Sequence, residues 1–571
     1  MRFYLRAIAL LLAFPLYLSA ANTQITILQT TDIHDHANGS DHTGLDVDPQ
    51  TATGATGAYS RIAAYINSVR RTTHHPVLLV DSGDWTMGTL YDATLVDPRI
   101  DVPLALLFMD YMHYDAVTLG NHEFDYGPGG LARMFKTARN TFGFHTPIVA
   151  SNMSLNGNTD LAPYVGPGNL IDSSRIIRVN GVNVGFIGLM GEAAATDAAS
   201  SAPVTFSKLS AHYADFQSLV DSMRANGAQL IIALSHSGTD PSGTSGEDVD
   251  LARHVHGIDV IASGHTHTPL PSVHAIANGT WTTQIIDAGA YGTNVARLDI
   301  TYNSTAKTTT VNAYNNMPMT DAALLATGVA QDDGWRRIVQ FTDVQLNGAF
   351  GPLFKTIFTD YSAPAIGTGV YHPVATTAQD MVSNSSNAVA APNGLGDLTA
   401  DAQRNTANGI LAKVPPNIAG FDYTPFQVGA VATGVLRTKL RTGVPITFAD
   451  LYGVVPLGIT PDLTQALPIG YPMISLYLDA GDLKQVAALQ LVAQSALVNS
   501  DFYLNLSGVQ YSLKPDETKA YFKSATAAAV LQIVSAKAAA GSTAALQALG
   551  ALQSNPASLP TLGATNPYAA A

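Results

Sequence analysis

The chain has 571 residues, 46% hydrophobic and 13% charged, with a formal net charge of -14. That length is too great for one compact core and predicts two domains, while the apolar share excludes a disordered chain. The acidic balance excludes a nucleic-acid or anionic-membrane surface binder, and the absence of cysteine excludes disulfides, thiolate metal sites and a cysteine nucleophile.

Arg2 and Arg6 precede an apolar run over residues 7–18 and the small residues Ser19-Ala20-Ala21. A basic start, a run too short to span a bilayer and a small-residue cleavage site describe a secretory signal peptide cut near Ala21. No second run has spanning length, so the expectation is a periplasmic or secreted protein, not held in the membrane after cleavage.

Residues 24–30 alternate as a first strand and run into Asp32-Ile33-His34. Residues 38–57 read as a loop, and 59–71 carry Ile62, Ala63, Ile66 and Val69 at helical spacing. The apolar strand 77–80 then ends in Asp81-Ser82-Gly83-Asp84. Buried carboxylates are costly unless they meet cations. Asp84, beside Gly83, is expected to bridge two metal ions, and Asp81 to stabilise its own turn.

Residues 103–109 read as helix and 116–119 as a third strand, which delivers Gly120-Asn121-His122-Glu123-Phe124-Asp125. A helix over 130–139 and strands over 147–151 and 182–189 follow. Residues 210–226 place Phe216, Val220 and Met223 on one helical face. Two further apolar runs end in chemistry: 230–234 in Ser235-His236, and 258–262 in Ser263-Gly264-His265-Thr266-His267.

In extended backbone, positions two apart share a side, so Asp32 with His34 and His265 with His267 are each expected to face one point. Where strands alternate with helices, ligands collect at the carboxyl ends of the strands. Asp32, His34, Asp84, Asn121, His236, His265 and His267 all stand there and are the candidate metal ligands. His74, His75, His113, His254 and His256 lie in helical or linker contexts and receive no role.

Imidazole and carboxylate without thiolate suit Mn, Fe, Co or Zn rather than Ca or Mg alone. Two such ions about 3.5 to 4 Å apart bind both oxygens of an in-line displacement and lower the pKa of a bridging water towards about 7. His122 is not needed to fill a coordination shell. It is expected to bond a phosphoryl oxygen or protonate the leaving group, with Asp125 holding its ring.

In order and spacing, Asp32-x-His34, Gly83-Asp84, Gly120-Asn121-His122-Glu123, His236 and Gly264-His265-Thr266-His267 resemble the five signatures of the calcineurin-like metallophosphoesterases. The resemblance implies Asp32, His34 and His267 on one metal, Asn121, His236 and His265 on the other, Asp84 bridging them, and a His122-Asp125 catalytic dyad. It also implies an α/β fold, a four-layer sandwich of two mixed sheets flanked by helices. Bacterial 5′-nucleotidases often have Gln at the position of His267, so this chain follows the wider superfamily there.

Residues 268–316 read as short strands completing that domain, and 321–358 as a helical link. Residues 394–402, Gly434-Val435-Leu436-Arg437 and residues 448–458 resemble the C-terminal substrate domain of the exported 5′-nucleotidase and UDP-sugar hydrolase family. This implies a rotating domain, with Arg437 at the substrate phosphate and Tyr511 as an aromatic base contact. The chain departs from that family at Ala432, where Asn is usual, and at Leu457 and Ile459, which replace an aromatic and an amide side chain. An Ala-rich stretch over 518–553, broken at Gly541-Ser542, reads as two helices with a tail beyond.

The expected division is a signal peptide over 1–21, a dinuclear domain over 22–320, a linker over 321–369, an α+β substrate domain over 370–517 and a helical extension over 518–571. The expected function is hydrolysis of the phosphate esters of nucleotides by a monomer carrying two divalent ions. The alternatives are a 2′,3′-cyclic nucleotide, a nucleotide sugar or another ester at the same site, or a binding protein without turnover.

Overall fold

Apolar runs build two sheets, the first completed by the last two strands of the sandwich. The computed structural model describes residues 22–39, 55–97, 100, 102–179, 181–357, 373–382, 394–413, 424–456, 479, 481–483 and 503–509. The expected signal peptide and Ala-rich extension lie outside the described residues, as do Leu457, Ile459 and Tyr511.

The first half runs β1 (Asn22–Thr30), α1 (Tyr59–Thr72), β2 (Val77–Asp81), α2 (Ala93–Val96), α3 (Leu104–Tyr111), β3 (Ala116–Val117), α4 (Gly127–Phe142), β4 (Ile148–Val149), β5 (Met153–Ser154) and β6 (Ile171–Asp172). The second runs β7 (Ser174–Val179), β8 (Val182–Met190), α5 (Glu192–Asp197), β9 (Thr205–Phe206), α6 (Tyr213–Ala225), β10 (Leu230–His236), α7 (Glu247–His254) and β11 (Val260–Ser263). It closes with β12 (His274–Asn278), β13 (Trp281–Ile286), β14 (Asn294–Asn303) and β15 (Thr308–Pro318).

One sheet has the order β15-β14-β1-β2-β3-β4-β6 and the other β12-β13-β11-β10-β8-β7. In both, the central strands are parallel; β14 and β15 at one edge of the first sheet and β12 and β7 at the edges of the second are antiparallel, while the edge strand β6 pairs parallel with β4. The sheets face each other across one apolar layer, with Ile25, Ile27, Leu78 and Val80 meeting Phe186, Ile232, Leu234, Val260 and Ala262. Ile62, Phe108, Leu131 and Phe135 cover the outer face of the first sheet, against Leu28, Leu79 and Val117. Phe216 and Val220 of α6 with Val249 and Leu251 of α7 cover the second. Each such side chain gains about 1.5 to 3 kcal/mol on burial. The result is the expected helix-sheet-sheet-helix sandwich.

The short strands are shorter than the sequence suggests. β3 stops at Val117: Thr118 still bonds Asp81 O through its N–H at 3.1 Å and Val149 O through its hydroxyl at 2.8 Å, and the chain then passes into the loop that carries Asn121 and His122. The helix expected over 130–139 is longer, opened by Pro128 in its first turn and ended by Gly143 at φ 75°.

Beyond the sandwich come α8 (Asp321–Ala326), α9 (Asp333–Ile357), β16 (Pro373–Ala375), α10 (Gly394–Leu411), β17 (Gly429–Ala432), β18 (Ile446–Thr447), α11 (Phe448–Val454) and β19 (Leu504–Ser507). Leu395, Ala400, Val431, Leu436, Leu440 and Ile446 form a separate small core. Thr447 and Asp450 cap α11 reciprocally. That helix turns Tyr452 and Phe448 into the core of the sandwich, so the later segment docks beside the first sheet.

Candidate metal centre and active site

The last residue of β10, His236, and the loops after β1, β2, β3 and β11 bring the candidate residues to one place. Three sets have their donor atoms within 4.8 Å of one another: Asp32, His34 and His267; His34, Asp84 and His122; and Asp84, His236 and His265. His34 Nε2 lies 3.0 Å from His267 Nε2 and 3.9 Å from Asp84 Oδ2. Asp32 Oδ1 is 3.4 Å from His267 Nε2. His236 Nε2 is 3.1 Å from Asp84 Oδ2 and 3.1 Å from Asn121 Oδ1. Asp84 therefore stands between two groups of donors.

The convergence does not come from extended alternation. β1 ends at Thr30 and β11 at Ser263, before any of these residues. Asp32, His34, Asp84, His265 and His267 instead have φ of 50°, 50°, 54°, 72° and 53°. Left-handed residues two apart, Asp32 with His34 and His265 with His267, curl their loops so that those side chains meet, and Gly83 and Asp84 turn the loop between them. That conformation costs a side-chain-bearing residue about 1 to 2 kcal/mol, and such strain gathers at functional sites. Backbone bonds hold it: Asp32 N–H to Gly83 O at 2.9 Å, His34 N–H to Asp84 O at 3.0 Å, and Tyr291 N–H to Asp32 O at 2.7 Å.

The donor set fits metal ions. His34 Nδ1 is 2.7 Å from Met87 O, and His236 Nδ1 is 2.9 Å from Ser82 O. Bonds to carbonyl oxygens put the proton on Nδ1 and leave Nε2 free to coordinate. Burial keeps His34 far below the usual histidine range, and burial followed by the charge on His236 lowers His265 to about 3. Burial opposes charge on His236 as well, but the Asp84 carboxylate outweighs it and raises His236 to about 10. A field that holds a proton there also favours a cation.

Close approach accounts for two glycines. A Cβ on Gly120 would stand 2.1 Å from Asp84 Oδ1, and one on Gly264 would stand 2.3 Å from Thr31 Oγ1 and 3.0 Å from Asp32 Oδ2. Asp81 faces away from the donor groups: its carboxylate accepts from Gly83 N–H at 2.9 Å and from the Thr30 hydroxyl at 2.7 Å.

His122 Nδ1 lies 2.8 Å from Asp125 Oδ2. Burial lowers the affinity of His122 for a proton, but Asp125 and Asp84 raise it above the ordinary value. Its Nε2 is 3.4 Å from Arg437 Nη2, so the later segment reaches the same crevice.

Two residues of the site went unassigned in the sequence. Glu123 is fully buried, and its Oε1 accepts from the N–H groups of Trp85 and Thr86 and from the Thr86 hydroxyl, while Oε2 accepts from Asp84 N–H and Gly120 N–H. It fixes the loop that carries Asp84 against the loop that carries Asn121. Tyr291 places its ring 5.5 Å from that of His34 and 5.2 Å from that of His267, walling one side of the site. Only tertiary packing brings either residue to its partners, so local sequence carries no signal for these roles.

Residues 25–269 match the model of the calcineurin-like phosphoesterases. The snake venom 5′-nucleotidase of Gloydius brevicauda is 26% identical over 472 residues, 79% of this chain and 69% of that protein. The trifunctional nucleotide phosphoesterase protein of Bacillus subtilis is 32% identical over 289 residues, 44% of this chain and 17% of that one. The fold resembles the crystal structure of a 5′-nucleotidase precursor from Thermus thermophilus, with a TM-score of 0.60, 24% identity, and 86% and 82% of the two chains covered. With this site at the strand ends of its sandwich, residues 25–269 form a calcineurin-like phosphoesterase domain, and the chain is a metal-dependent hydrolase of phosphoesters.

Proposed function

We propose that the chain hydrolyses the phosphate esters of nucleotides with two divalent ions of the Mn, Fe, Co or Zn class. The observation that carries this reading is Asp84, held between the Asp32-His34-His267 donors and the His236-His265 donors. Asn121, 3.1 Å from His236, completes the second group. When bound, the ions activate water and neutralise phosphoryl oxygens.

The chain's own residues do the rest. His122, oriented by Asp125, donates to a phosphoryl oxygen or to the departing alkoxide. Arg437, beside His122, adds a fixed positive charge for the phosphate. The likeness to nucleotide-cleaving relatives supports a nucleotide as the ester. Ala432, half-buried on β17, offers no side-chain amide to a base, which leaves the reading of the base to other residues of the substrate domain.

The proposal extends to the division drawn in the sequence, with the dinuclear unit over residues 22–320, the substrate unit over 370–517, and an exported monomer after cleavage near Ala21. Among the described residues no helix is long and apolar enough to cross a membrane.

The test is phosphate release by the metal-stripped chain reloaded with Mn, Co or Zn, on AMP, ADP, UDP-glucose, a 2′,3′-cyclic nucleotide and bis-p-nitrophenyl phosphate. Metal-dependent turnover of AMP, lost in His122→Ala and Asp84→Ala, is expected. Turnover of the diester or cyclic compound alone would move the substrate and keep the mechanism. Bound metal with no turnover of any ester would refute the enzyme reading.

A further inference from the structure

Behind the metal centre lies a second set of buried oxygens that the reaction does not use. Asp248 on α7 and Asp287 after β13 are both fully buried. The hydroxyl of Ser263, at the end of β11, faces both carboxylates, and the hydroxyl of Ser235, in β10, faces Asp248. Gln29, in β1, is fastened to the same place by its amide N–H bonds to Ser263 O at 2.7 Å and Ser82 Oγ at 3.1 Å.

One hydroxyl proton, that of Ser263, is left to serve both carboxylates. Asp248 Oδ2 takes Gly238 N–H at 3.2 Å, and Asp287 Oδ1 takes Gly289 N–H at 2.7 Å. Ser235 spends its proton on Ser237 Oγ at 2.9 Å. Asp248 Oδ1, Asp287 Oδ2, Ser263 Oγ and Gln29 Oε1 are left without a well-directed hydrogen bond, all of them shut off from solvent. Among the described residues neither carboxylate has an ion-pair partner, and the largest charge effects are those of Glu247 on Asp248 and of Asp32 and Asp248 on Asp287. Burial pushes the Asp248 carboxyl up to about 7 and the Asp287 carboxyl well above the usual range, so without a cation the fold can keep both ionised only at high cost.

We infer that Asp248, Asp287, Ser263 and Gln29 bind a hard divalent cation of the calcium class, distinct from the ions at Asp84. Carboxylate, hydroxyl and amide oxygens without nitrogen are the donors such an ion takes. Its ligands come from β1, β11, α7 and the loop after β13. Ser263 stands two residues before His265, and Asp287 four before Tyr291, so the ion ties the elements that carry one side of the active site. Its role is structural, and its absence would leave the nucleotide reading untouched.

The test loads the full chain with Mn at the active site and titrates Ca²⁺, reading bound calcium by elemental mass spectrometry and unfolding temperature by calorimetry. One bound Ca²⁺ per chain is expected, with a saturating rise of several degrees in Tm. Asp287→Asn and Ser263→Ala should each abolish both signals, while Asp84→Asn keeps them. Calcium uptake that survives Asp287→Asn, or that disappears with Asp84→Asn, would overturn the inference. So would a wild-type chain that takes up no calcium while Asp287→Asn raises its Tm, since protons would then neutralise the cluster.

Discussion

Glu123→Gln probes the site through a residue that touches neither metal nor substrate. The replacement has the same shape, so it opens no cavity. It turns one acceptor oxygen into an NH₂ group, and in either orientation two backbone N–H groups then face a donor: Trp85 and Thr86 at the Oε1 position, or Asp84 and Gly120 at the Oε2 position. A hydrogen bond to a charged acceptor is worth about 1.5 to 3 kcal/mol, which puts the predicted loss at about 3 to 6 kcal/mol. That is a large part of a typical stability of about 5 to 15 kcal/mol. The measurement is urea unfolding of the chelated chain followed by tryptophan fluorescence, at about pH 8, where the carboxyl, raised to about 7 by burial and by Asp84, is ionised. Trp85 is buried in the affected loop and reports on it. Metal content and phosphate release should fall with stability, because the displaced loop carries Asp84. A change below about 1 kcal/mol with wild-type metal content would show that Glu123 does not hold the loop.

Three further predictions separate the parts of the site. Gly120→Ala would drive a methyl group to 2.1 Å from Asp84 Oδ1; the expected result is a native circular dichroism spectrum with less than stoichiometric metal, and full metal loading would contradict it. His122→Ala should lower kcat by about 10² to 10⁴ while elemental analysis finds the metal unchanged; lost metal would make His122 a ligand instead. Arg437→Ala should cut kcat/KM by about 10- to 100-fold, the equivalent of one charge-assisted bond, without altering metal content. An unchanged kcat/KM would remove Arg437 from the phosphate site.

The layers of the sandwich were legible because each depends on local pattern. The apolar run 230–234 can only be a buried strand, and Phe216, Val220 and Met223 can only line one side of a helix, which is how they pack. The clustering of the seven candidate positions was legible too, since each follows a strand-like run. How they cluster was not. A φ of 50° at Asp32 or His34 is imposed by bonds to Gly83, Asp84 and Tyr291, which lie about 50 to 260 residues away in the chain, and nothing in the stretch from Thr31 to Asp35 announces it. Glu123 is visible in its motif, but four of its five donors belong to residues 84–86. Asp248 and Asp287 carry no role in the sequence reading, and only the fold shows that both are buried.

The left-handed residues have a consequence for how the protein lives without its ions. At five positions the backbone holds a conformation that only glycine adopts freely, and bound metal is what makes those side chains worth keeping there. In the metal-free chain these loops should open well before the sheets, with fast amide exchange at residues 31–35, 83–87 and 264–267 against slow exchange in β1 and β10. Replacing the partly exposed His267 by Gly should then give a protein that is inactive yet harder to unfold than the metal-free parent. Selection for turnover and selection for durability would pull these five positions in opposite directions, and the histidines and aspartates that occupy them record which one prevailed.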